Sequence, residues 1–265
     1  MKNVVVDWAE TCTHPALLLY RFADGTKEEK KGEKPLVRDF VKAANGFYSA
    51  QTVQSLLKHL DDRQQAQLNG LQEEWDIASC PRKVQWRLVV GLSHGRLWDV
   101  SLQLHPLYGI TYLPASGIKG ALLHWAQEWS EVPATKSEIN AWFGTTEVQA
   151  QIQVFDAFPL EQKKKTLLRE DVLTKHHPKY FETDAKKDRI PPAADYDTPM
   201  PVKFISVDRD VRFTIRYAVR KARKADSLES REDLPRIHDL FAEFLTSCGL
   251  GAKTRKGYGR MKADS

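Results

Sequence analysis

From Leu36 the apolar residues repeat in steps of three and four: Leu36, Val37, Phe40, Val41, Ala44 and Phe47, then Leu56, Leu57 and Leu60, then Leu68, Leu71 and Trp75. That is the spacing of amphipathic helices, and it predicts two or three of them between Leu36 and Trp75, with the stripes serving as core. At Pro81 the period shortens to two. Val84, Trp86, Leu88, Val90 and Leu92 alternate with Gln85, Arg87 and Val89, and after a turn at Ser93, His94 and Gly95 a second run places Trp98, Val100, Leu102 and Leu104 on one face. The two runs predict a hairpin with one dry face. Upstream, Thr13 to Phe22 reads as a short strand or an apolar anchor, and Asp24 to Lys34 as a solvated mixed-charge linker.

The helical period returns in Ile118, Ala121, Leu122, Trp125 and Trp129, with Pro114 and Ser116 marking the helix entry and Ser116 read as the N-cap. A short helix is expected over Thr135 to Phe143, ending near Gly144, and a strand over Gln151 to Phe158 with Asp156 near its end. Glu161 to Arg189 is basic and without period, and the proline-rich run from Ile190 to Pro201 is a loop. Val202 to Val207 and Val211 to Val219 predict a second hairpin about Asp208 to Asp210, with Arg212, Arg216 and Arg220 on one face of the later strand. Leu234, Ile237, Leu240, Phe241, Phe244 and Leu245 define an amphipathic helix ending at Cys248-Gly249, where glycine suits the position after the last turn. Tyr258 to Lys262 reads as a last short strand. Strand, helix, strand hairpin, helix, strand is the order of an α+β, ferredoxin-like sheet. The expected division is a mostly helical region over residues 1–80 and a ferredoxin-like domain with insertions over residues 81–265, packed as one unit.

Charge adds little by its total and more by its placement. Forty Lys plus Arg against 35 Asp plus Glu leave +5, with a pI near 9.0. Cys12, Cys80 and Cys248 are far apart, which predicts reduced thiols and neither a disulfide framework nor a zinc site. No apolar run approaches the roughly 18 residues of a membrane span, and MKNVVVDWAETC lacks the apolar centre of a signal peptide; a cytoplasmic location is expected.

The densest candidate chemistry lies in GLGAKTRKGYGR, Gly249 to Arg260, where Gly249, Gly251, Gly257 and Gly259 frame Lys253, Thr254, Arg255, Lys256 and Arg260 with no acid among them. Glycines that admit positive φ, interleaved with cations, make a concavity suited to phosphate oxygens. The spacing matches neither the nucleotide-triphosphate loop nor the dinucleotide fingerprint. A glycine-rich turn with a solvated basic face reads as well from these residues alone. A second candidate is the start of the 116–129 helix, where the backbone N–H groups of Gly117 and Ile118 and the Lys119 ammonium would suit an anion; a capped helix with a solvated lysine is the other reading. No catalytic residues, metal ligands or cofactor site emerge. His176 and His177 would be the candidates for a general base, and Asp156 or Asp171 for metal-supported cleavage.

GLGAKTRKGYGR resembles the glycine-rich loop of the RAMP superfamily of CRISPR proteins, and LPASGIKGALL resembles that superfamily's motif at the first helix. The intervening FDAFPL, DVLTKHHPKYF and PMPVKFISV make the stretch from about Arg87 to Arg260 similar to the sixth-subunit family of the Cmr complex, the type III-B RNA-guided effector. Ala115-Ser116-Gly117 and Leu123 depart from the family pattern, which often has glycine-serine-serine and an arginine there. The resemblance implies a ferredoxin-like RAMP fold and a structural, non-catalytic subunit near the head of the complex. It implies binding of the 3′ portion of the guide RNA (crRNA), beside target RNA, the repeated backbone subunit and the other head subunit. Carried onto matching positions, it implies that Ser116, Gly117, Lys119, Gly251, Lys253, Thr254, Arg255, Lys256, Gly257 and Arg260 contact RNA, with both motifs expected near one edge of the sheet. A metal-independent endoribonuclease of the same superfamily, or a small-molecule enzyme holding a phosphorylated ligand, remain the alternatives.

Overall fold

The computed structural model of the chain describes residues 14–17, 19, 37–92, 102–161, 166–176, 198–221 and 233–264. Among the described residues, two helices of several turns, α1 (Val37–Ser49) and α2 (Gln51–Asn69), precede the first strand, β1 (Trp75–Val84). Then follow α3 (Ala115–Glu128), α4 (Lys136–Phe143), β2 (Ile152–Val154), β3 (Leu168–Lys175), β4 (Met200–Val207), β5 (Arg212–Arg220), α5 (Asp233–Ser247) and β6 (Met261–Ala263). Pro15–Leu17 forms a single turn where the sequence predicts a strand or anchor, and half of that stretch lies outside the described residues.

Four strands form an antiparallel sheet in the order β2-β5-β1-β6, and β3 pairs with β4 in a separate two-stranded sheet. Leaving out the β3–β4 pair, the chain runs β1-α3-β2-β5-α5-β6, the β-α-β-β-α-β order of the ferredoxin-like fold. The expected α+β class holds, but several strands move. β1 begins in residues read as the end of the helical region and crosses the expected boundary at residue 80. Its burial follows small and charged residues (Ala78 and Val84 are buried, with Cys80 partly so), which leaves no apolar alternation to detect. Pro81 is tolerated inside the strand because its missing N–H would face the β6 side, where pairing starts only at Arg82.

Of the hairpin expected across 84–104, the described residues show Gln103 donating to the Val90 carbonyl at 2.7 Å; the turn at Ser93, His94 and Gly95 and the start of the second run, residues 98–101, lie outside them. The hairpin expected about Asp208 to Asp210 is absent: β4 pairs with β3, while β5 pairs with β1 and β2. β3 itself falls in the stretch read as irregular, because its alternation mixes Leu168 with Glu170 on one face and Asp171 with Leu173 on the other. Asn45 on α1 fastens its start, accepting from the Leu167 and Leu168 amides at 2.9 Å each and donating to the Leu168 carbonyl at 2.9 Å. A side-chain amide thus supplies the hydrogen bonds that a neighbouring strand would.

β5 is buried on both faces, which explains why its arginines are not a basic surface. On one face Tyr217 stacks on Phe241 of α5 with ring centroids 3.8 Å apart, and α3 brings Ile118 and Leu122 into the same core. On the other face Arg216 pairs with Asp61 of α2 at 2.7 Å and with Gln64 at 2.8 Å. Arg212 and Arg220 are tied as well, donating to the Glu161 carbonyl at 2.8 Å and to Gln149 at 3.2 Å. The apolar core is continuous from Phe40, Tyr48 and Leu57 of the N-terminal helices to Leu245 and Met261.

The Arg216 pair sets a stability prediction. Arg216 is 7% exposed and Asp61 34%, so loss of the acid strands a buried cation, whereas loss of the arginine leaves an acid that water reaches. Asp61→Ala is expected to cost about 1–3 kcal/mol and Arg216→Met under about 1 kcal/mol. Urea denaturation checks this, and equal losses would show that the pair carries no such asymmetry.

Candidate nucleic-acid interface

The glycine-rich loop is built by close backbone approach. Gly249 ends α5 at φ 79°, and its amide and that of Cys248 both reach the Phe244 carbonyl at 3.0 Å. The chain then returns on itself, with Leu250 donating to Gly259 at 2.9 Å, Ala252 to Val89 at 2.8 Å, Gly259 to Arg87 at 2.7 Å and Gln85 to Arg260 at 2.9 Å. A Cβ on Gly259 would overlap the Leu250 carbonyl oxygen, one on Gly251 the Val89 carbonyl oxygen, and one on Gly249 would stand 2.5 Å from the Gly259 carbonyl carbon. These three glycines therefore serve packing. Gly257, at φ 88° with open space around it, serves only the reversal that follows the short 3-10 turn Thr254–Lys256.

On this frame Arg255, Lys256 and Arg260 are exposed. Thr254 is half-buried, and Lys253, in the left-handed region at φ 62°, carries its ammonium 5.7 Å from the Phe204 ring centroid. Tyr258 is buried against Phe204 and Val89 in a small apolar cluster separate from the main core. Its hydroxyl donates to Asp171 at 2.7 Å, and burial together with that bond pushes its pKa up to about 12, so it stays a donor. Arg87 meets the same Asp171 carboxylate at 2.5 Å. Asp171 thus braces the loop from β3.

The second motif is arranged differently from its reading in sequence. The N-cap of α3 is Pro114, and Ser116 stands within the first turn. The cap comes from outside the helix: the Asp156 carboxylate accepts from the Ala115 amide at 2.7 Å. Ile118 donates to Pro114 at 3.0 Å, so the outward amides at this end are those of Ser116 and Gly117, both exposed. Lys119 turns back to the sheet and donates to the Ile152 carbonyl of β2 at 3.0 Å, and desolvation there lowers its pKa. A carboxylate already answers the positive end of this helix, and its lysine already has an acceptor.

The two motifs do not share an edge. α3 begins beside β2, and the glycine loop leads into β6 on the far side of β5 and β1. Three inter-strand spacings of about 4.8 Å separate those edges by roughly 14 Å. His176 is exposed just after β3, while His177, Lys163 to Lys165 and the basic residues Lys186, Lys187 and Arg189 lie outside the described residues. Trp86 was assigned to the dry face of a hairpin, yet it is 47% exposed beside the loop, its ring 5.1 Å from that of Tyr258. Its place between Gln85 and Arg87, both bonded to the loop, has no signature in a single sequence.

An antiparallel ferredoxin-like sheet whose second helix runs through a glycine-rich basic loop into the edge strand defines the class of fold. A family model of the RAMP superfamily matches residues 88–262, and the chain belongs to that superfamily. A curated relative, "CRISPR system Cmr subunit Cmr6" of Pyrococcus furiosus, is 26% identical over an alignment of 234 positions that covers 68% of this chain and 66% of that protein, just short of two thirds of its length. A chain from the cryo-EM structure of the type III-B Cmr-beta bound to cognate target RNA matches in fold with a TM-score of 0.60 and 20% identity, over 100% of this chain and 88% of that one. Among the described helices none is long and apolar enough to cross a membrane.

The packing roles of the glycines separate by substitution. Gly257→Ala meets only the left-handed backbone and is expected to cost about 1–2 kcal/mol. Gly259→Ala adds overlap with Leu250 and is expected to cost at least about 2 kcal/mol more. Thermal or urea unfolding of both variants checks the ranking, and a Gly259→Ala protein as stable as Gly257→Ala would contradict the packing described.

Proposed function

We propose that this chain is a guide-RNA-binding structural subunit of a type III-B CRISPR Cmr complex, an RNA-guided, RNA-targeting assembly of antiviral defence. In this reading it has no catalytic role, works in the cytoplasm, and sits near the crRNA 3′ end at the head of the complex. Target RNA, the repeated backbone subunit and the other head subunit are its neighbours. The Cmr6 relative and the likeness to a Cmr-beta chain support the assignment. The residue-level observation that carries it is the exposure of Arg255, Lys256 and Arg260 on a loop whose path the glycines fix.

Cations on a rigid frame suit the RNA backbone, because phosphate contacts position a strand without reading its sequence. Lys253, Thr254, Arg255, Lys256 and Arg260, with the turns at Gly251 and Gly257, form the main contact in this reading. Ser116 and Gly117 form a second and weaker contact across the sheet, where the exposed amides lie and where Asp156 offsets part of the positive field; Lys119, bonded to the Ile152 carbonyl, holds that helix end in place. A strand touching both would run over the sheet rather than along one edge.

Replacing Lys253, Arg255 and Lys256 together with glutamine removes three charges and keeps the glycines and the length. Filter binding of single-stranded RNA over a range of salt concentrations is expected to give a plot of log affinity against log salt shallower by up to about 2, at roughly 0.7 per lost phosphate contact. The loss is expected on unrelated sequences alike. An unchanged slope in a triple variant that melts like the parent would mean that the loop is only a turn.

A further inference from the structure

An exposed tryptophan on a surface that otherwise presents cations calls for a partner with both a flat apolar face and negative charge. Trp86 is 47% exposed, and the residues on either side of it are stitched to the glycine-rich loop through Gln85 to Arg260 and Gly259 to Arg87. The indole is backed by Tyr258, which packs in turn on Phe204 with ring centroids 6.1 Å apart. The Arg87 guanidinium lies 5.5 Å from the indole centroid, held there by Asp171 at 2.5 Å and the Glu170 carbonyl at 3.4 Å. The indole thus projects from a braced support, so a ligand meeting it orders little that is not already ordered.

We propose that Trp86 is a stacking platform for one base of a single-stranded RNA whose phosphates lie on the adjoining loop. The proposal rests on the reading of that loop as a phosphate site and adds a base contact to it. Single-strand binding sites combine a basic track with aromatic faces in this way, and each stacked base contributes in any sequence because every base has a π-face. Arg87 adds a guanidinium plane at the same spot. Charge separates this site from a protein-docking tryptophan. Trp129 is also exposed, but Glu128 and Glu131 flank it in sequence, whereas Trp86 adjoins Arg87 and a loop bearing Arg255, Lys256 and Arg260. Among the described residues, Asp171 is engaged by both Arg87 and Tyr258, and its neighbour Glu170 pairs with Lys203 at 2.8 Å.

The test uses the full chain and two probes, an oligouridylate of about 12 nucleotides, within the usual site sizes, and an abasic ribose-phosphate chain of the same length. Trp86→Ala is expected to weaken oligouridylate binding by about five- to 150-fold, the range that ~1–3 kcal/mol per stacked base covers. It is expected to bind the abasic chain like the parent and to keep the parent's salt slope. Trp86→Phe is expected to retain much of the oligouridylate affinity.

Parental affinity for oligouridylate in Trp86→Ala would overturn the platform, whether Trp86 then docks a protein or nothing. Failure of the underlying phosphate reading shows separately, as an unchanged salt slope in the variant with Lys253, Arg255 and Lys256 replaced by glutamine. Should Trp86→Ala not fold, Trp86→Leu against Trp86→Phe decides: binding retained by Phe and lost by Leu supports stacking, and equal affinities overturn it.

Discussion

Where Gly259 meets Leu250, two backbone segments approach more closely than any side chain permits, and the candidate interface hangs from that approach. The contact closes the loop on itself, and the bonds from Ala252 to Val89 and from Gly259 to Arg87 then lash the closed loop to the segment that follows β1. Because that segment is held, Trp86 projects beside the cations rather than folding into the core. Because the loop is closed, Tyr258 is driven into the apolar cluster with Phe204 and Val89, where Asp171 receives its hydroxyl. The cations ride on a frame made rigid by the absence of side chains, which lowers the entropic cost of ordering them on a ligand.

The same sheet explains which cations are available. β5 is central and covered on both sides, so Arg216 is spent on holding α2 against the sheet. Lys119 is likewise committed to the backbone of β2 at the opposite edge. Among the described residues, Lys262 of β6 pairs with Asp210 at 3.2 Å, and the loop set of Arg255, Lys256 and Arg260 stands outward beside it. Burial and pairing, more than the number of basic residues, decide where an anionic strand can lie.

Elements with a strong period were legible from sequence. α1, α2, α3 and α5 lie where the apolar stripes place them, and α4 lies within the expected Thr135 to Phe143, where the structure shows a capping box of Thr135 and Glu138 at its start and Gly144 at its end. The glycine loop was visible as a motif, but glycine spacing does not say what each glycine faces; only the fold shows that Gly249, Gly251 and Gly259 meet backbone while Gly257 meets open space. β1 escaped because Ala78, Cys80 and Arg82 on its inward face are small or charged, and β3 because its apolar Val172 and Leu173 are exposed while Glu170 and Asp171 are half-buried, so tertiary pairing rather than local pattern makes them strands. The cap of α3 escaped for a related reason: Asp156 lies 41 positions from Ala115, and no local signal links them. Trp86 was misplaced because alternation assigns a face without saying whether that face is covered.

The most direct measurement is to map where RNA touches the chain. Single-stranded RNA carrying 4-thiouridine would be bound to the intact protein, photocrosslinked, and the modified peptides identified by mass spectrometry. The account predicts adducts in the peptides holding Gly249 to Arg260 and Gln85 to Arg87, with weaker labelling about Ser116 and Gly117. Adducts confined to other surfaces, with the glycine loop unmodified, would contradict it.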